Sequence, residues 1–100
     1  MAGYYSPRAS TGVHDDLYAK ALVLRQGKAS IALVVCDVIH VPAPVVTEAR
    51  RLIRERSGIP ASHVMISATH AHTGPVIPGG SARLDFGGKE GEMARAYAAA

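Results

Sequence analysis

The chain has 100 residues, 48% of them hydrophobic and 19% charged, with a formal charge of +3. This is about one small domain with apolar surface for a modest core. It excludes a membrane-spanning helix, since no apolar run approaches the roughly 20 residues needed, and an internal disulfide, since Cys36 is the single cysteine. Residues 1–11 lack the apolar centre of a secretory leader. Much of the basic excess is arginine on one expected helix. With no aromatic residues interleaved, it has the pattern of a solvated face and not of a nucleic-acid-binding one.

Residues 3–12, rich in Gly, Ser and Pro, predict an irregular lead-in. Residues 17–25, LYAKALVLR, predict a strand, and turn chemistry follows around Gly27. Residues 31–38, IALVVCDV, form a near-continuous apolar run with β-branched members, the pattern of a strand buried on both faces. Within it Cys36 reads as a small buried hydrophobe and not a nucleophile. The two runs together predict an antiparallel hairpin.

Pro42 and Pro44 suit a helix's first turn, where a missing N–H loses no intrahelical partner. At about 100° per residue, Val45, Val46, Ala49, Leu52 and Ile53 share an arc of about 120°. Thr47, Arg50, Arg51 and Arg54 fall outside it, and Arg56 intrudes near the end, where its stem can lie on apolar surface. The spacing predicts a helix over 45–57. Arg54 and Arg56 suit the negative end of its dipole, Gly58 stops it and Pro60 bars resumption. Residues 64–68, VMISA, predict another strand. Strand, helix and strand in this order predict a βαβ unit with parallel strands and a right-handed crossover. A Gly/Pro-rich loop over 73–88 follows. Residues 89–100 then predict a second helix with Glu90 and Glu92 in its first turn. That helix-forming run carries no stop signal. The expectation is therefore a partial α/β domain: a β-hairpin plus a βαβ unit in a mixed sheet with helices packed on it, the N-terminal part of a larger domain.

In open α/β sheets, ligands bind beyond the carboxyl ends of the parallel strands. The sequence sets Asp37 and His40 there after one strand, and His70 and His72 after the next. If 69–73 stays extended, both imidazoles project to one side, because side chains repeat every second residue. They can then approach a common zinc ion, although a catalytic zinc takes three protein ligands and a water. A hydrogen-bonded pair beside a turn, or one ligand with one supporting imidazole, fits the same spacing. Thr69 and Thr73 offer hydroxyls to orient imidazoles or water, and Gly74 permits close backbone approach. Asp37 suits a carboxylate that holds a ligating imidazole from behind, or one that caps the following turn. His14 lies beside Asp15 and Asp16, which suits a ring oriented by a carboxylate or equally a loop histidine with local acidic contacts. His40 reads as structural, His63 as surface, and Tyr4 and Tyr5 as packing residues. There is no Walker-type phosphate loop, no G-x-G-x-x-G after a strand and no G-x-S-x-G elbow.

Three ordered blocks carry a resemblance: GVHDDLYAKALVL, then IALVVCDVIHV, then RRLIRERSGIPASHVMISATHAHTGP. Together they resemble the N-terminal catalytic domain of neutral/alkaline, non-lysosomal ceramidases and their bacterial relatives, over about residues 3–75. The most specific block, SATHAHTGP, is similar to the family's Ser-Ala/Gly-Thr-His-Thr-His-Ser-Gly-Pro, with Ala71 and Thr73 as departures. The resemblance implies a zinc-dependent amidase that hydrolyses the N-acyl bond of ceramide to sphingosine and fatty acid, in a family often secreted or membrane-associated. It implies a zinc ligand at His70, with His72 as a second ligand or a close neighbour that handles protons. It also implies that the remaining donors (a histidine, a glutamate and a tyrosine) and the active-site serine lie beyond residue 100. These 100 residues alone would then be inactive. Ceramide-like or other N-acyl compounds are the implied substrates, and amide hydrolysis is the broader class. A non-enzymatic α/β module with structural histidines, or a different metal-dependent hydrolase sharing the His-x-His edge, are the other readings.

Overall fold

The computed structural model describes residues 1, 3, 9–79 and 92. Strands β1 (Ala19–Gln26) and β2 (Ala29–Cys36) form an antiparallel hairpin, in register from Ala19↔Cys36 to Gln26↔Ala29. The connection is therefore two residues, Gly27 and Lys28. Gly27 sits at φ 57, the left-handed backbone that the first central residue of a tight hairpin turn requires. The chain then runs through helix α1 (Ala43–Ser57) and a short 3-10 turn (Ala61–His63). It returns as β3 (Val64–Ala68), parallel to β2 from Ala32↔Val64 to Cys36↔Ala68. The result is an α/β fold, a mixed three-stranded sheet in the order β1-β2-β3 with one helix packed on it.

Both hairpin strands lie offset from the expected ranges because the hairpin is closed by specific hydrogen bonds. The Asp37 N–H donates to Tyr18 O at 2.9 Å, and the Asp37 carboxylate accepts from the Tyr18 N–H at 3.1 Å. The Val38 N–H then turns back to Cys36 O at 2.9 Å, a three-residue turn that ends β2 before Asp37. The third strand coincides with its expected range.

Helix α1 begins two residues earlier than the apolar period alone predicts. Pro42 caps it with extended backbone (φ −62, ψ 149), and the Val46 N–H makes an early helical bond to Pro42 O at 3.0 Å. Gly58 ends it in the left-handed region at φ 74, with its N–H on Arg54 O. Val45, Val46, Ala49, Leu52 and Ile53 are half-buried, and Thr47, Arg51 and Arg54 are exposed, as the arc predicts. Arg56 is exposed and keeps its charge in water, as expected near the helix end. One arginine departs from the arc. Arg50 is half-buried because its Nε donates to Val64 O at 3.0 Å, tying the helix to the first residue of β3.

The core is Ala32 of β2, Val64 of β3 and Ile59 before the 3-10 turn, with Ile53 and Ile66 packed against them. By the pleat, Ser30, Ala32, Val64 and Ile66 face the helix, and Ile31, Val35 and Met65 face away. The outer face is open: Leu22 is 55% exposed, Met65 52%, Leu24 49% and Ile31 41%. The expectation that β2 is buried on both faces is thus corrected. One helix covers one face, and the apolar residues of the other meet solvent. Further buried residues gather past the carboxyl ends, Val38 and Ile39 after β2, and Val76 and Ile77 after β3.

Among the described residues, no helix is long and apolar enough to cross a membrane. Tyr4, Tyr5, the loop over 80–88 and the second helix over 89–100, apart from Glu92, lie outside the described residues.

Candidate functional site at the carboxyl edge of the sheet

The β2–β3 pairing continues past both strands. Thr69 N–H donates to Cys36 O at 2.9 Å, and Ala71 N–H donates to Val38 O at 3.1 Å. The loop after β3 is thus laid along the loop after β2, and His70 is held between two backbone anchors. Gly74 tightens the same seam. A Cβ there would stand 2.9 Å from Asp37 O, so glycine is what lets the two loops touch.

The stretch 69–73 is not extended, which corrects the geometric premise behind the histidine pair. His70 takes φ 63, the only non-glycine residue with positive φ among those described. For an L-residue this costs about 1–2 kcal/mol, and residues 72–73 then turn. The rings are neighbours nevertheless: their centroids are 4.8 Å apart, with planes at 87°. Anchoring brings them together, not strand alternation. His70 Nδ1 donates to Ile39 O at 2.9 Å. His72 Nδ1 donates to Gly3 O, and His72 O accepts the Gly3 N–H at 2.9 Å. A carbonyl only accepts, so both Nδ1 atoms carry hydrogen, and in each neutral ring Nε2 carries the lone pair. His70 is exposed and His72 half-buried.

The two imidazoles fit one part of a zinc site. Metal-binding histidines characteristically give their other N–H to a carbonyl or carboxylate, which fixes ring and tautomer. Two rings sharing one tetrahedral ion have centres roughly 5 Å apart, from Zn–N lengths of about 2.0–2.1 Å. Among the described residues, no group of three His, Cys, Asp or Glu is assembled that could hold a metal. At this edge the described residues bring together two imidazoles, His70 and His72.

The other expected site residues have different neighbours. The Asp37 carboxylate accepts the Tyr18 N–H and closes the hairpin. The Thr69 hydroxyl lies 3.4 Å from Cys36 O. His14 pairs with Asp15, Nδ1 to Oδ2 at 2.6 Å, in an exposed loop. His63 is exposed and gives Nδ1 to Ser30 O at 3.0 Å. Burial, with the adjacent Asp37 charge adding to it, raises the Cys36 thiol pKa, which keeps it protonated and unreactive.

Two features escape sequence reasoning. Gly3 positions His72 through backbone atoms alone, and glycine in an irregular lead-in gives no sign of that. His40, read as structural, has a buried Nε2 with no hydrogen-bond partner among the described residues. Its place just past β2 was the only signal.

A scan against protein-family models finds no match, and comparisons with curated proteins and with solved structures find none either.

Proposed function

We propose that this chain carries the His-x-His part of a zinc site in an amide hydrolase of the neutral ceramidase type, acting on ceramide-like or other N-acyl substrates. The observation that carries this reading is the pair of adjacent imidazoles, 4.8 Å apart, each with Nδ1 on a backbone carbonyl. The SATHAHTGP block that supplies them is the most family-like stretch of the sequence.

His70 is the first donor. Its tautomer is set by Ile39 O, which leaves the Nε2 lone pair for a cation. His72, half-buried and clamped to Gly3, is either the second donor or the group that accepts and returns a proton beside the amide. A bound zinc would lower the pKa of a water to about 7 and polarise the amide carbonyl. In this reading the further donors lie outside these 100 residues, so turnover needs them while cation binding by the pair does not.

Zinc titration of the chain in competition with a chromophoric chelator tests this. His70→Ala is expected to weaken zinc binding at least about tenfold, about 1.4 kcal/mol. His72→Ala should do the same if His72 is a donor, and should leave affinity nearly unchanged if it serves the proton. Equal zinc binding by the unmodified chain, His70→Ala and the double variant would overturn the proposal.

A further inference from the structure

The opposite edge of the sheet, where β2 and β3 begin, carries an open cleft of about 340 Å³. Its walls come from four separated places in the chain: Arg25 at the end of β1, Lys28 in the hairpin turn, Ser57 and Gly58 at the end of α1, and His63 in the 3-10 turn. Among the described residues, no carboxylate lines it.

The basic groups are placed, not merely nearby. Ser30 is buried and serves two of them: its hydroxyl oxygen accepts Arg25 Nε at 3.1 Å, and its carbonyl accepts His63 Nδ1 at 3.0 Å. The Arg25 guanidinium is thus oriented through Nε, leaving its two terminal nitrogens unbonded among the described residues. Lys28 approaches from the neighbouring turn. Neither Arg25 nor Lys28 has an ion-pair partner among the described residues. The acidic residues of α1, Glu48 and Glu55, are both held by Arg51. Two cations with no ion-pair partner among the described residues repel each other on one concave surface, and an anion bound there offsets that repulsion. The planar guanidinium fork matches a tetrahedral oxyanion.

We propose that this cleft is a binding site for a phosphate group, either the free ion or the head of a small phosphomonoester. Its volume sits near the lower end of the range for small-molecule sites, about 300–1,000 Å³. That leaves room for phosphate with a short organic remainder. The cleft lies at the other end of the parallel strands from His70 and His72, so this inference stands whether or not the pair binds zinc.

Nitrogen–proton correlation NMR of the whole 100-residue chain, at neutral pH and constant ionic strength, tests it. Inorganic phosphate and glycerol phosphate are titrated separately, with sodium chloride as the control. Saturable shifts are expected at Gly27, Lys28, Gly58 and His63, with a Kd on the order of 1 mM. Glycerol phosphate binding more tightly than inorganic phosphate identifies a phosphomonoester as the occupant, and equal affinity identifies the free ion. Lys28→Ala, in an exposed turn that tolerates the change, should weaken binding about three- to fivefold. Arg25→Gln should weaken it about tenfold or more. Shifts that stay linear to about 50 mM phosphate, that sodium chloride reproduces, or that survive both substitutions would overturn the proposal.

Discussion

His70 holds its ring out from a backbone at φ 63, a conformation that L-residues adopt at a cost and that neighbouring contacts must sustain. Those contacts are the Thr69 and Ala71 N–H groups on the β2 side and its own Nδ1 on Ile39 O. His70→Ala loses the side-chain bond and keeps the strain, while His70→Gly loses the bond and the strain together. Thermal unfolding should therefore find the glycine variant more stable than the alanine variant by about 1 kcal/mol. Equal melting temperatures would mean that the left-handed backbone is not strained. At this scale the sequence was partly legible. Gly74 marked a tight exit, and it does sit where a Cβ would meet Asp37 O, whereas the i, i+2 spacing of the histidines was read as extended backbone, which φ 63 at His70 corrects. The left-handed turn and the Gly3 anchor were not legible, because both depend on groups distant in the chain that no local pattern encodes.

Helix α1 shows what local signals do convey. Its two proline residues, its apolar arc and Gly58 are all within the helix or one residue from it, and its limits followed from them to within two residues. The hairpin strands were less legible because Tyr18 and Asp37 close on each other across the sheet. On the exposed face of α1, Arg51 bridges Glu48 and Glu55, one turn apart on either side. The Arg51 hydrogen bond, with its charge adding to it, holds the Glu48 carboxyl below its ordinary value of 4.5. A carboxyl lowered in the folded state stabilises the fold at neutral pH, and that contribution is lost as pH falls through its folded value. Circular dichroism followed downward from pH 4.5 should show the helix losing stability in this range. Arg51→Ala should flatten that part of the profile while leaving the helix folded at neutral pH. An unchanged acid limb in Arg51→Ala would remove this bridge as a contributor.

Across the whole molecule the main asymmetry is between the two faces of the sheet. The helix side holds Ala32, Val64 and Ile66, and the other side presents Leu22, Leu24, Ile31, Val35 and Met65 to solvent. The run IALVVCDV does record a strand that is apolar on both sides. What the sequence did not convey is that one helix meets only one of them. Exposed apolar patches of this kind bind fluorescent apolar dyes. The chain should enhance the emission of such a dye at neutral pH while its near-ultraviolet dichroism remains that of a packed fold. Leu22→Ser and Leu24→Ser together should reduce the enhancement by about half, since they remove two of five side chains from the patch. No enhancement by the folded chain would mean that the face is covered in solution.

The clasp between Gly3 and His72 joins positions 69 residues apart. Bringing such distant points together costs more chain entropy than zipping a hairpin, though only as the logarithm of the separation. The clasp's bonds to His72, one through the backbone N–H and one through the carbonyl, are both made by Gly3 backbone atoms and lie outside the sheet. The reach of His72 is therefore governed from Gly3, remote from it in the sequence. A change at Gly3 acts on this imidazole as directly as a substitution beside it.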